Sequence, residues 1–420
     1  MGRVGKQVST GSGLTRRYRE VFAVPHLPGL LCWTLAGRLH FACTALALTF
    51  LVAGWTGSYT LAGVVVGALT VCQSVAAPWW GRIVDRGHVV RLVIVTSLSY
   101  SAGLAALAAL PALLPADYWA VAVALAAVTG LALPPVNQIA RAGWPRLVPP
   151  ALRDSVYTME ATVQELLFVI GPLAVAATVA LAGTSPSTLL VAGFVLVGGL
   201  GFAGMLRRAG LAAPPSEDTP ARGPLRRRSV LAEPGLAALV VAMGLLVAGL
   251  IATDLVIIAW ARERGEPFLA GVLAAVWAVG SLLGGLVAGA RSTSAPPRLT
   301  LRLGAVLAGM VALVVVLAES GSPILVGIVL FLGGSAIAPA LGAVYGRLAQ
   351  RAPQRRRAEA FGWQSTASTA GTALAAPAVG ICLDRFGPAG GAAVAALALA
   401  IAVTIVTLAR ASRTDMVEPS

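Results

Sequence analysis

Twelve apolar runs of membrane-crossing length divide the chain, near 28–53, 59–80, 90–113, 117–138, 155–182, 187–205, 234–259, 268–290, 299–318, 322–345, 359–382 and 389–410. A helix rises 1.5 Å per residue, so about 20 residues cross a hydrocarbon core about 30 Å thick. Backbone N–H and C=O groups in lipid must bond within their own segment, which makes each run a helix and excludes an open sheet. Polar residues gather in the short connections. The pattern predicts an all-α integral membrane protein with twelve transmembrane helices.

Composition agrees. Over 420 residues, 57% are hydrophobic and 11% are charged, against about 25% charged in a soluble domain. The net charge of +14 points to nucleic acid only until its placement is read. With the N-terminus in the cytoplasm, every basic residue among the 31 falls in an inside segment except Arg38, Arg262, Arg264 and Arg385. The positive-inside rule then places both termini in the cytoplasm of a cell membrane, with anionic lipid as the partner and no nucleic acid. Cys32, Cys43, Cys72 and Cys382 all lie in predicted spans without metal or redox spacing and read as unpaired thiols. The first apolar run is too long for a removable signal peptide and lacks a plausible cleavage site.

The chain also repeats. At an offset of 208 residues, Leu61, Ala62, Gly63, Val64 and Gly81 fall on Leu269, Ala270, Gly271, Val272 and Gly289. At an offset of 204, Arg153, Tyr157, Glu160 and Thr162 fall on Arg357, Phe361, Gln364 and Thr366. Two matches in order at nearly one offset predict a duplicated six-helix unit. The expected organisation is a tail (1–27), a six-helix bundle (28–206), a basic, proline-containing cytoplasmic linker (207–233), a second bundle (234–410) and a tail (411–420).

Two six-helix halves with a long central loop resemble the major facilitator superfamily, over nearly the whole chain. The stretch GRIVDRGHVVR is similar to that family's motif between the second and third helices, in Gly81, Arg82, Asp85, Arg86 and Gly87. It departs from the motif where Gly87 directly follows Arg86 and where His88 and Val89 stand at commonly basic positions. The resemblance implies a cytoplasmic gate in which Asp85 faces Arg141 of the fourth helix and the start of the helix near Glu359. A carboxylate is favoured at such a helix start and beside a guanidinium. In the second half, Thr293 stands where the aspartate would be, so one half alone is expected to keep the latch. Gly171 and Pro172 resemble the family's antiporter motif, which implies a helix-5 kink and is associated with exporters. The segments PPVNQIARAGWPRLVPP and YTMEATVQELLFVIGP also look similar to members of the family from high-GC Gram-positive bacteria.

Charges inside the spans carry the chemistry. Arg38 lies about ten residues into its run, roughly 15 Å, and Glu165 sits at a similar depth in the fifth. A lone charge there costs at least about 2.5 to 3.5 kcal/mol, so a partner is expected. First and fifth helices are neighbours in the resembled fold, which makes Arg38 with Glu165 the expected pair. Three roles stay open for it: a static ion pair, a protonation switch, or direct substrate contact. Glu160 reads as a partner of loop arginines. Asp254 reads as neutralised by Arg262 or Arg264, or as a second coupling carboxylate. His40 reads as a packing residue. Trp33, Trp80, Trp144, Trp277 and Trp363 line a cavity or anchor helix ends.

No P-loop and no nucleophile–base constellation is present, which argues against an enzyme and against ATP-driven export, and no cofactor or metal is called for. The resemblance implies a secondary transporter, functional as a monomer, that moves by rocking of one half against the other. Proton-coupled export of a small, moderately hydrophobic molecule is the first expectation. Uptake or uncoupled passage of a nutrient, and a non-transporting sensor or scaffold, are the alternatives.

Overall fold

The computed structural model describes residues 10–212, 229–291, 299–319 and 322–414. Its regular structure is helical throughout these residues. A short amphipathic helix, α1 (Thr10–Phe22), precedes the first long one. The first half then holds α2 (Leu27–Thr56), α3 (Tyr59–Asp85), α4 (Val89–Leu113), α5 (Trp119–Leu131), α6 (Val136–Leu147), α7 (Arg153–Ala182) and α8 (Thr184–Arg208). The second half holds α9 (Pro234–Glu263), α10 (Pro267–Ala290), α11 (Leu299–Glu319), α12 (Pro323–Gly334), α13 (Ile337–Arg351) and α14 (Arg357–Thr414).

Eleven helical segments among the described residues are long and apolar enough to cross a membrane. Two of them are broken: α5 and α6 form one, interrupted before Pro134 and Pro135, and α12 and α13 form another, interrupted at Ser335 and Ala336. The eleventh, Gln354–Ala409, spans 56 residues and contains the last two predicted runs. At 1.5 Å per residue it would be about 84 Å long if straight. It is not straight. Gly387 takes φ 65° and ψ −166°, a conformation open to glycine at little cost, and a Cβ on Gly391 would lie 2.7 Å from the Leu383 side chain, eight residues back. The chain folds back there, leaving room for two crossings.

The helices also run further than their apolar cores. Arg141 and Arg146, expected in a connection, lie on α6, and Arg347 and Arg351 lie on α13. These helix ends carry the arginine-rich connections, and that face of the molecule is called the basic end below. The Gly171–Pro172 pair, expected to kink the fifth helix, sits within an unbroken α7. Its glycine admits a close approach: a Cβ there would stand 2.9 Å from both Ala42 Cβ and Cys43 Sγ of α2.

Apolar burial differs between the two ends. At the basic end one continuous core crosses from first half to second, through Val84, Trp144, Tyr157, Tyr345 and Phe361. Towards the opposite end the first half keeps a separate core of its own, around Leu48, Leu51, Tyr100 and Leu104.

Candidate functional site

The start of α14 shows how the basic end is joined. The first N–H groups of a helix have no partner within it and carry the positive end of its dipole. Asp85, the last residue of α3, supplies the partner: its two oxygens accept from the Ala358 N–H (3.1 Å) and the Glu359 N–H (2.9 Å). Gly81, one turn earlier, allows the approach, since any Cβ there would overlap the Ala358 carbonyl. Glu359 then gathers the motif's basic residue and the edge of the linker. It accepts from Arg82 Nε at 3.0 Å, from Arg356 Nη2 at 2.8 Å and from the Val230 N–H at 3.3 Å. Arg86 and Gly87 close the turn, Gly87 with φ 108°.

Arg141 is not part of this clasp. It was expected to face Asp85, but α6 turns it into the interior, 3% exposed. There Arg141 Nε donates to Glu160 Oε1 at 2.7 Å, Nη2 to Gln164 Oε1 at 3.0 Å and Nη1 to Gln364 Oε1 at 3.0 Å, and its guanidinium lies 3.7 Å from the Tyr345 ring centre. Gln364 and Tyr345 belong to the second half. The basic side chains near Asp85 are Arg356 and Arg357 instead, with the like charge of Glu359 also close.

Arg38 also has a different partner from the one expected. Its Nη1 donates to Glu160 Oε1 at 2.6 Å, so Glu160 and not Glu165 is its counter-ion. Glu160 is wholly buried and holds no loop arginine; its second oxygen accepts from Trp144 Nε1. Helix rotation explains the difference, because Glu160 and Glu165 are five residues apart, about 140° around α7, and point to different sides of it. Glu165 faces Ser281 of α10 and lies in electrostatic range of Asp254 on α9. Arg264 stacks over Trp260, 3.8 Å from its ring centre.

A second clasp was missed altogether. Arg302, near the start of α11, grips Asp154 at the start of α7 through Nη1–Oδ1 (3.1 Å) and Nη2–Oδ2 (3.0 Å). It answers, with charges reversed, the α3-to-α14 clasp. It does not involve the loop that carries Thr293, on which the reading of a single motif latch rests and which lies outside the described residues. A third link comes from α1, where Arg17 bonds the Ala151 carbonyl and Ser155 Oγ, and Tyr18 donates to the Leu286 carbonyl at 2.7 Å.

The remaining candidates pack rather than react. His40 is buried, stacked on Phe41 at 4.4 Å and 5.6 Å from Tyr100. Trp80 donates to the Leu131 carbonyl at 2.7 Å. All four cysteines are free, and no group of three or more potential metal ligands occurs among the described residues.

Many apolar helices, two sequence halves clasped at one end, and buried charges between them define a multi-pass membrane transporter fold. The chain belongs to the Major Facilitator Superfamily, which it matches over residues 30–367. No curated protein matches it. Among solved structures it is similar to a bacterial homologue of the iron transporter ferroportin in an outward-facing state, with TM-score 0.76, 16% identity, and 91% of this chain and 99% of that one covered. It is also similar to the human organic anion transporter MFSD10 (TM-score 0.64, 16% identity, 92% and 99% covered). The proton:xylose symporter XylE is a third relative (TM-score 0.68, 14% identity, 92% and 95% covered). Such identities show the fold alone. The family and these relatives are transporters, not enzymes.

Proposed function

We propose that the protein is a proton-coupled exporter of a small, moderately hydrophobic compound, working by alternating access between two six-helix bundles (28–206 and 234–410). The observation that carries the alternating-access reading is the one-sided clasp. Among the described residues, the ion-pair and helix-start clasps between halves given above all lie at the basic end, and further cross-half contacts, Thr366 Oγ1 to the Ser74 carbonyl at 2.6 Å and Glu165 facing Ser281, lie midway along the helices. If that end is cytoplasmic, as its arginines argue, this is the outward-facing arrangement, and the ferroportin homologue that it resembles was also captured outward-facing. Export then requires the clasps to open so that substrate loads from inside. Rocking one half against the other is the ordinary way such repeats exchange access.

With Arg38 bound to Glu160, the proton carrier passes to Glu165 and Asp254. They sit on α7 and α9, one in each half, and a carboxylate within a span is a functional group by default. The linker 207–233 and both tails lie in the cytoplasm in this reading, and the monomer in the cell membrane is the working unit. A substrate panel on inverted vesicles with an imposed proton gradient tests it, for the native protein and Glu165→Gln. A compound that discharges the gradient only with the native chain supports coupling at Glu165. Equal discharge by both removes Glu165 from the coupling step, and no discharge by any compound sinks proton-coupled export.

A further inference from the structure

The charges of the Arg38 cluster do not balance. Arg38, Arg141 and Glu160 sum to one net positive charge, and Glu160 is the one acidic group paired with either arginine among the described residues. Arginine does not shed its proton to escape burial. A static buried lock would be expected to pair its charges, because an uncompensated one is strongly destabilising.

The imbalance has a direction. Both Glu160 oxygens are engaged, Oε1 by the two arginines and Oε2 by Trp144. Arg38 is 1% exposed, yet its Nε and Nη2 make no hydrogen bond. Those two nitrogens form the side edge of the guanidinium, whose parallel N–H groups match the two oxygens of a carboxylate. Arg141 is held from the second half by Gln364 and Tyr345, so parting of the halves at the basic end would strip those contacts and open the cluster towards that side. The positive charge would then face the entering solute.

We propose that the Arg38 side edge, backed by Arg141, docks an anionic oxygen group of the transported molecule, so that the substrate class is small organic anions carrying a carboxylate or a like monovalent oxyanion. This rests on the transporter reading above. Arg38 is the direct contact, Arg141 the second charge, and Glu160, bound at Arg38 Nη1, the like charge that competes with an incoming anion for the field of the two arginines.

The test uses the purified full chain in lipid nanodiscs, following tryptophan emission, which Trp144 on Glu160 makes sensitive to the cluster. Benzoate is titrated against neutral benzamide and against chloride. A saturable benzoate response without a benzamide response is expected. Arg38→Gln should weaken it at least about tenfold, Arg38→Lys by a smaller factor because charge survives without the edge, and Glu160→Gln should strengthen it because a competitor is lost. The Arg38→Lys arm, which keeps the charge beside Glu160, keeps the proposal open to refutation if Arg38→Gln fails to fold, because undiminished benzoate binding in it would remove the edge from the contact. Equal responses to benzoate and benzamide, weaker benzoate binding in Glu160→Gln, or a chloride response that benzoate does not compete with would overturn it, the last leaving a halide site only. No benzoate response from a protein that still discharges vesicle gradients with other compounds sinks this inference alone. Benzoate binding without gradient-dependent flux of any compound sinks the transport reading and leaves the anion site standing.

Discussion

The two clasps at the basic end do one task with opposite chemistry. On one side a carboxylate, Asp85, lies on the backbone N–H groups that open α14. On the other a guanidinium, Arg302, grips the Asp154 side chain at the opening of α7. The first partner is main chain and cannot be exchanged by mutation; the second is a side chain and can. The two halves are thus joined at two places that do not use the same chemistry.

Four perturbations separate the clasps, and spin labels at exposed His88 and Gln354 would read the gap by pulsed electron resonance. The largest effect is expected from Gly81→Val, whose side chain cannot coexist with the Ala358 carbonyl. The label distance should move wholly to an open population, and an unchanged distance would refute the close approach. Asp85→Asn comes next. It removes charge-assisted bonds worth about 1.5 to 3 kcal/mol, so the open fraction should rise on the order of tenfold or more. Asp154→Arg or Arg302→Asp alone breaks a bidentate pair whose side chains are only 11% and 20% exposed, a loss of the same order, about 1.5 to 3 kcal/mol. The double reversal should restore the native distance, a rescue with no counterpart at Asp85. If the double variant is as open as the singles, the second clasp is incidental.

Tyr18→Phe should have the smallest effect, a loss of about 0.5 to 1.5 kcal/mol from one hydrogen bond to Leu286. Burial pushes the Tyr18 hydroxyl up to about 12. A raised pKa keeps the neutral donor present below that value, so the Tyr18 bond should hold without change from pH 5 to 9 and fail only near pH 12. A native-minus-Tyr18→Phe difference in label distance that varied between pH 5 and 9 would show that Tyr18 does not donate as found.

Much of this was legible in the chain. Long apolar runs announced the crossings, since lipid leaves the backbone no alternative to a helix. GRIVDRG announced the clasp on α14, because a carboxylate at the end of one helix has few uses other than another helix start. The repeat even held an unused hint: Glu160 and Gln364, equivalent across the duplication, converge on the same Arg141. What escaped was partner choice. Arg38 with Glu165 satisfied depth, yet five residues on a helix change its facing side. Arg302 and Asp154 are 148 positions apart and belong to no recognisable motif.

The sequence by itself determined that the chain is helical, crosses a membrane many times and gathers most of its arginines in the connections between apolar runs, because those follow from hydropathy, backbone hydrogen bonding and charge, all local or additive along the chain. Only the tertiary structure decided which charges meet, which end is clasped, and that Arg38 keeps a free edge beside a Glu160 that already bonds both arginines and Trp144. Those depend on helix rotation and on the fit of two halves, where a shift of one residue turns a side chain by about 100°.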